Sequence, residues 1–319
     1  MSWKRRDFLR VTAAAATGLA FSGPPAVCEV RNGMPYRVLG KTGEKVSLLA
    51  LGGFHIGWDW LSDQEATRII RTAIDDGVNF LDNAWIYNDG RSETRMGNAL
   101  RDGYRDRVFL MTKLRHLDAK GAEKDLEESL KRLQTEVIDL WQFHEIVNAD
   151  EPQKVYSNGA LEFALKAKEQ GKIRYIGFTG HKDPSIHAEM IDRGFDWDTV
   201  QMPLNVCDHH FQSFEKVILP KAVEKNMGVI AMKTLGGTSG KIHEAGVVSV
   251  AECMTYSMNL PVSTVVSGID SMEILQENLS IAKSYKPLSE ERVAGLLEKT
   301  KALAAEGEHE PFKTKWAKA

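Results

Sequence analysis

Cysteine is scarce in this chain of 319 residues: Cys28, Cys207 and Cys253 stand far apart. Three are too few and too scattered for a disulfide framework or a cysteine-held cluster, and spacing does not say whether any two are bridged. A basic excess is missing as well. The 41 Lys and Arg are outnumbered by 44 Asp and Glu, for a net charge of -3. No global positive field invites nucleic acid, and the aromatics are not interleaved with a basic stripe. No G-x-G-x-x-G follows an early strand, which disfavours an open dinucleotide-binding sheet. No low-complexity stretch or linker divides the chain. The length is large for an ordinary domain and typical of a barrel with short loops.

Long hydrophobic runs are also lacking. The nearest is V-T-A-A-A-A-T-G-L-A-F from Val11, which is short for a membrane span. Lys4, Arg5 and Arg6 precede it in K-R-R-D-F-L-R. A basic segment ahead of a modest apolar one reads as an export signal, and this one resembles the twin-arginine (Tat) type. Cleavage after the small-x-small run Ala20-Phe21-Ser22 or near Ala26 fits, whereas Pro25-Ala26-Val27-Cys28 is a poor lipoprotein site. Residues 1–28 are therefore read as a signal recognised by the Tat export machinery. Residues 29–319 are read as one domain, exported to the periplasm, with no stable membrane span in the mature protein.

In that domain apolar β-branched runs alternate with amphipathic stretches. Eight strands are expected, beginning near Val46, Val78, Val108, Val137, Ile173, Thr199, Val229 and Val262. Their spacing of about 26 to 36 residues is the length of one βα unit. Runs such as V-F-L-M-T and G-V-I-A-M are apolar on both faces, as in a parallel sheet covered by helices. Leu126, Leu130 and Leu133 recur at helical spacing. Asp63 is the expected cap of the helix through Ile69, and Gly77, Gly171, Gly194 and Gly228 are expected where helices stop. Eight such units imply a closed (β/α)8 TIM barrel.

Barrel enzymes place catalysis where strands end at the C-terminal face. Asp82 ends N-F-L-D, Lys113 ends V-F-L-M-T-K, His144 ends L-W-Q-F-H, and Tyr87 follows Asp82 by five residues. An acid, a phenol, an amine and an imidazole are thus aimed at one mouth. D-N-A-W-I-Y, S-E-T-R-M-G, M-T-K, D-L-W-Q-F-H and V-Q-M-P-L-N, in this order between Tyr36 and Ser284, resemble the motifs of the aldo-keto reductase family.

That resemblance implies a nicotinamide cofactor, NAD(H) or NADP(H), and a small carbonyl or alcohol substrate: an aldehyde, a ketone or a sugar. Tyr87 would be the general acid, Lys113 its tuner, Asp82 the anchor of Lys113, and His144 the orienter of the carbonyl. An unperturbed phenol, with a pKa of about 10, is a reluctant donor, and a nearby ammonium lowers that value. Gln201 resembles the glutamine that holds the nicotinamide carboxamide. Leu235, Gly236, Gly237, Ser239 and Lys241 form a glycine loop whose N–H groups approach a pyrophosphate. Glu277 and Asn278 resemble a pair that contacts adenine. Thr179 stands where the family has Ser-Asn, and Met232 or Lys233 stands where it has a stacking aromatic. Asp270 and Glu273, with no basic residue before Glu277, favour NAD(H).

Trp58, Trp85 and Phe178 are expected to line the substrate pocket. Asp208-His209-His210 reads as solvated loop, with no metal site expected. The charged tail from Glu306 to Lys318 reads as surface, and Asp183-Pro184 as a helix start. The alternative to an enzyme is a redox-sensing or regulatory module of the same fold.

Overall fold

The computed structural model describes residues 24–314, and side chains within them except at Ser239 and Gly240. The signal segment up to residue 23 lies outside the described residues. Three short strands open the fold: β1 (Glu29–Arg31), β2 (Met34–Val38) and β3 (Lys45–Ser47) form an antiparallel sheet. Eight more close into a barrel in which every neighbouring pair is parallel: β4 (Leu49–Gly52), β5 (Phe80–Asp82), β6 (Phe109–Leu114), β7 (Ile138–Phe143), β8 (Ile173–Thr179), β9 (Thr199–Pro203), β10 (Gly228–Met232) and β11 (Thr264–Gly268). The expected (β/α)8 TIM barrel is the observed fold. The first strand is the one displaced: the run from Val46 breaks at Leu48, so Val46 belongs to the small sheet and the barrel begins at Leu49.

Strand alternation decides which side chains reach the interior. Ala50, Phe80, Phe109, Met111, Leu140 and Ile230 point inward and form one buried cluster, closed below by Leu39 and Val46. Their neighbours Leu49, Leu81, Leu110, Trp141, Phe178, Val200 and Val229 point outward into a larger cluster under the helices. A third, smaller cluster, with Cys207, Cys253, Tyr256 and Leu296, lies beneath the helix Glu290–Ala304. The three cysteines are free thiols.

Helix ends follow the local chemistry with two corrections. The hydroxyl of Ser62, not Asp63, caps the helix Asp63–Asp75 by accepting from Glu65 N at 3.1 Å. Asp63 instead pairs with Arg95 at 2.7 Å. Gly77, Gly171 and Gly194 do adopt the left-handed turn after helices, but Gly228 opens β10 and Asn226 takes that turn. Gly228 is needed for room: a Cβ there would stand 2.6 Å from Leu39 Cδ1. Asp183 caps the helix Pro184–Asp192 through Ser185 N, as its sequence suggests. Among the described residues no helix is long and apolar enough to cross a membrane.

Candidate active site

The C-terminal ends of the strands enclose a cavity of about 450 Å³. Asp82 shares the inward phase of Phe80, Lys113 that of Phe109 and Met111, Gln201 that of Thr199, and Met232 that of Ile230. His144 and Thr179 also line the cavity, and Tyr87 reaches it from the turn after β5. A period of two therefore brings residues from six separate strand ends to one place.

Asp82 and Lys113 are buried and ion-paired, with the ammonium also donating to Asn83 O at 2.7 Å. The other oxygen of Asp82 accepts from Gln201 Nε2. Two acceptors and the strand packing leave Lys113 a single position. Its Nζ stands 5.1 Å from the centre of the Tyr87 ring, and the His144 ring meets the same phenol edge-on at 5.5 Å.

The electrostatics differ from the simple expectation that Lys113 lowers the phenol's pKa. Burial, then the carboxylates of Asp82 and Glu145, raise Tyr87 well above the usual phenol value. Lys113 is itself pushed down by burial, and its charge is already engaged by Asp82. Burial, with Lys113 second, holds His144 well below the usual imidazole value, so the ring is neutral at pH 7.

Three polar residues in the wall carry roles that motif reading did not assign: Glu145, His181 and His55. Glu145 adopts a left-handed backbone (φ 47°) immediately after His144. That conformation costs a non-glycine residue ~1 kcal/mol, and it places the carboxylate on His181 Nε2. Burial opposes ionisation of Glu145, but His181, His144 and Lys233 outweigh it and hold the carboxyl at about 2. His181 continues the inward phase of Thr179 two residues on, which was its only sequence signal. Burial and Lys233 push its imidazole down, so it serves Glu145 as a neutral donor.

Lys233, also left-handed (φ 58°), lines the cavity beside Leu235, Gly237 and Thr238. Burial brings its amine to about 8. Gly236 and Gly237 have φ of 83° and 72°, giving the loop its turn. Lys241 points away and pairs with Glu244, and the side chain of Ser239 lies outside those described. Asn278 is buried and donates to the hydroxyl of Ser267, a cavity residue, at 2.8 Å. Glu277 is exposed on the same helix, and Asp270 is close enough to act on the charge of His55.

The expected aromatic pocket is corrected. Phe178 is out of phase with Thr179 and packs outside the barrel against Trp197 and His187. Trp85 turns outward to Glu128 and Arg132. Trp58 meets the His55 ring at 4.5 Å, tilted by 56°, and lies outside the cavity wall. The apolar walls are instead Phe54, Ile86, Met232, Leu235 and Val266.

The C-terminal tail is corrected too. Glu310, Pro311, Phe312 and Lys313 are buried, not surface. Lys313 donates to Asp208 at 2.6 Å, Glu310 at 2.9 Å and Phe211 O at 2.8 Å. Asp208 is thus a buried anchor rather than a solvated loop residue, whereas His209 and His210 remain partly exposed. Among the described residues no group of His, Cys, Asp or Glu is arranged to hold a metal ion.

Known proteins agree with this architecture. The family described as the Aldo/keto reductase family matches residues 48–244. An uncharacterised oxidoreductase of Bacillus subtilis, YrpG, is 32% identical over 64% of this chain and 67% of its own length. The L-galactose dehydrogenase of Arabidopsis thaliana is 27% identical over 84% of this chain and 95% of its own. An aldo-keto reductase from Klebsiella pneumoniae, solved in complex with NADPH, superposes with a TM-score of 0.69 at 24% identity, covering 83% of this chain and 94% of its own. Because the family match spans more than half of its length, the chain belongs to the aldo/keto reductase family of oxidoreductases.

Proposed function

We propose that this protein interconverts a carbonyl and an alcohol on a neutral, hydroxyl-rich substrate, with a nicotinamide dinucleotide as hydride carrier and Tyr87 as proton donor. The observation that carries the reading is the immobilised Asp82–Lys113 pair beside Tyr87, with neutral His144 on the edge of the phenol.

The walls fit the dinucleotide. Gln201 Oε1 is buried without a hydrogen-bond partner while its Nε2 is held by Asp82, leaving an acceptor for a carboxamide N–H. The Gly236 N–H closes the turn onto Lys233 O at 2.9 Å, which brings Gly237 and Thr238 to the cavity wall as the backbone that would face a pyrophosphate, and Lys233 adds a cation beside them. When bound, the dinucleotide supplies or accepts the hydride. Tyr87 gives its proton to the carbonyl oxygen, and His144 orients that oxygen by donating to it. Lys113 then stabilises the phenolate left behind. Since burial keeps the phenol protonated at neutral pH, the resting site is set for reduction, and oxidation gains as pH rises.

The substrate class follows from Glu145 and His181. A half-exposed carboxylate in the cavity wall, held by a buried imidazole, accepts from hydroxyls and repels anions. The relation to an L-galactose dehydrogenase agrees with a sugar-like substrate. Asp270 and Glu273 favour NAD(H) over a cofactor carrying a 2′-phosphate, unlike the Klebsiella neighbour with its NADPH.

Tyr87→Phe tests the site. Turnover should fall by at least ~10²-fold, while fluorescence titration shows dinucleotide affinity unchanged and NADH tighter than NADPH. Near-normal turnover in the variant would remove Tyr87 from its role, and clearly tighter NADPH would reverse the cofactor preference.

The twin-arginine-like segment completes the proposal: the domain is exported folded, with its cofactor loaded beforehand and released slowly. Turnover outside the cytoplasm then alternates two half-reactions on one retained dinucleotide, with ping-pong kinetics. Protein recovered from the periplasm should retain nucleotide through gel filtration. Protein found there empty would refute retention and leave the oxidoreductase reading standing.

A further inference from the structure

The loop between β4 and the helix Asp63–Asp75, G-F-H-I-G-W-D-W, carries an uninterrupted series of rings away from the reacting phenol. Phe54 meets Tyr87 edge-on at 5.3 Å, Trp58 follows Phe54 at 6.2 Å, and Trp60 follows Trp58 at 5.4 Å. Phe54 belongs to the cavity wall, whereas Trp58 and Trp60 lie beyond it. Trp60 is 64% exposed and Phe54 38%. An exposed tryptophan is an unfavourable use of the largest apolar side chain, and a contiguous apolar patch at the lip of a site marks a binding surface.

The loop is not free to move. Arg95, buried, donates to Ile56 O and Trp58 O, each at 2.8 Å, and to Leu61 O at 2.6 Å. Arg91, one turn earlier on the same helix, donates to Gly57 O at 2.9 Å, and Ser92 Oγ to Gly53 O at 2.6 Å. Five loop carbonyls are thus held by one helix, and the aromatic series is presented rigidly to solvent. Beside Trp60, the ion pair of Asp59 and Arg91 stays accessible, with Asp59 87% exposed. A flat ring flanked by an accessible carboxylate and guanidinium matches a pyranose. Its C–H face packs on the indole while its hydroxyls reach the charged pair.

We infer that Phe54, Trp58 and Trp60, with Asp59 and Arg91, form a distal subsite for a second sugar ring. The preferred substrate is then a glycoside or disaccharide, held by one ring on Trp60 while the other reacts at Tyr87. This rests on the hydroxyl-rich substrate proposed above. The rigid loop means that little ordering entropy is lost on binding.

The test uses the full chain loaded with dinucleotide, and its tryptophan emission. Lactose, cellobiose, maltose and sucrose are titrated against free glucose and galactose. At least one disaccharide should bind at least tenfold tighter than its component monosaccharide. Trp60→Ala should erase that advantage and leave the monosaccharide within twofold; Trp60→Phe, which keeps a flat face, should retain most of it. Equal affinity for disaccharide and monosaccharide would overturn the subsite while leaving a monosaccharide oxidoreductase intact. So would equal losses for both in Trp60→Ala. If no sugar binds but simple aldehydes are reduced through Tyr87, the sugar reading and the subsite fall together.

Discussion

Two walls of the same mouth are built on opposite principles. The rim from Phe54 to Trp60 leaves large aromatic surface in water and is held from behind by backbone hydrogen bonds. The layer behind Lys233 buries charge: Asp208, Glu310 and Lys313 are buried together, and Asn205 links Glu310 to Lys233 O. Phe312, from the same segment, packs on the Lys233 ammonium at 5.0 Å and the His181 ring at 5.6 Å. The difference separates two tasks. The buried wall fixes Lys233 and His181, which line the cavity. The open rim keeps apolar surface available for something that comes and goes.

The largest test of the contrast is Lys313→Met. Removing the cation leaves two buried carboxylates unpaired, so stability should drop by ~3–5 kcal/mol. Asp208 is already raised by burial and Glu310 is at about 7. The variant should therefore recover as pH falls from 8 to 5 and the carboxylates take up protons, an effect read by thermal unfolding at each pH. Full stability at pH 8 would show that the triad does not hold the wall.

A middle-sized effect concerns Lys233. Its amine, at about 8, is charged below that pH and loses the charge above it; Glu145, Lys113 and Asp82 are the charges that act on it. Dinucleotide affinity should weaken up to ~10-fold between pH 7 and 9, one decade of lost charge, and Lys233→Met should abolish the dependence. An unchanged pH profile in the variant would take Lys233 out of cofactor binding.

The smallest effect belongs to the rim. Trp60→Ala should change unfolding stability by no more than ~0.5 kcal/mol, as for an exposed residue with no structural task. A loss above ~2 kcal/mol would mean that Trp60 holds the fold, and the two walls would no longer differ in kind.

Much of the site was legible beforehand because inward and outward phases alternate along each strand. Asp82, Lys113, His144, Thr179, Gln201 and Met232 all fall on the inward phase of apolar runs and all line the cavity. The same rule, applied to Phe178, excludes it from the pocket. Trp58 and Trp85 follow strand ends on loops, where no period applies and partners such as Glu128 or His55 settle the direction.

The amino-acid sequence by itself therefore determined the eight βα units, their closure into a barrel and the residues at the strand ends, because local periodicity encodes them. Tertiary structure alone decided the rest. Glu145 reaches His181 only through a left-handed turn. The phenol of Tyr87 is raised rather than lowered, because burial and two carboxylates outweigh an ammonium already spent on Asp82. Within the tail that reads as charged surface, Glu310 to Lys313 are buried because Lys313 finds Asp208, 105 residues away in the chain, and an ion pair between distant segments leaves no local pattern.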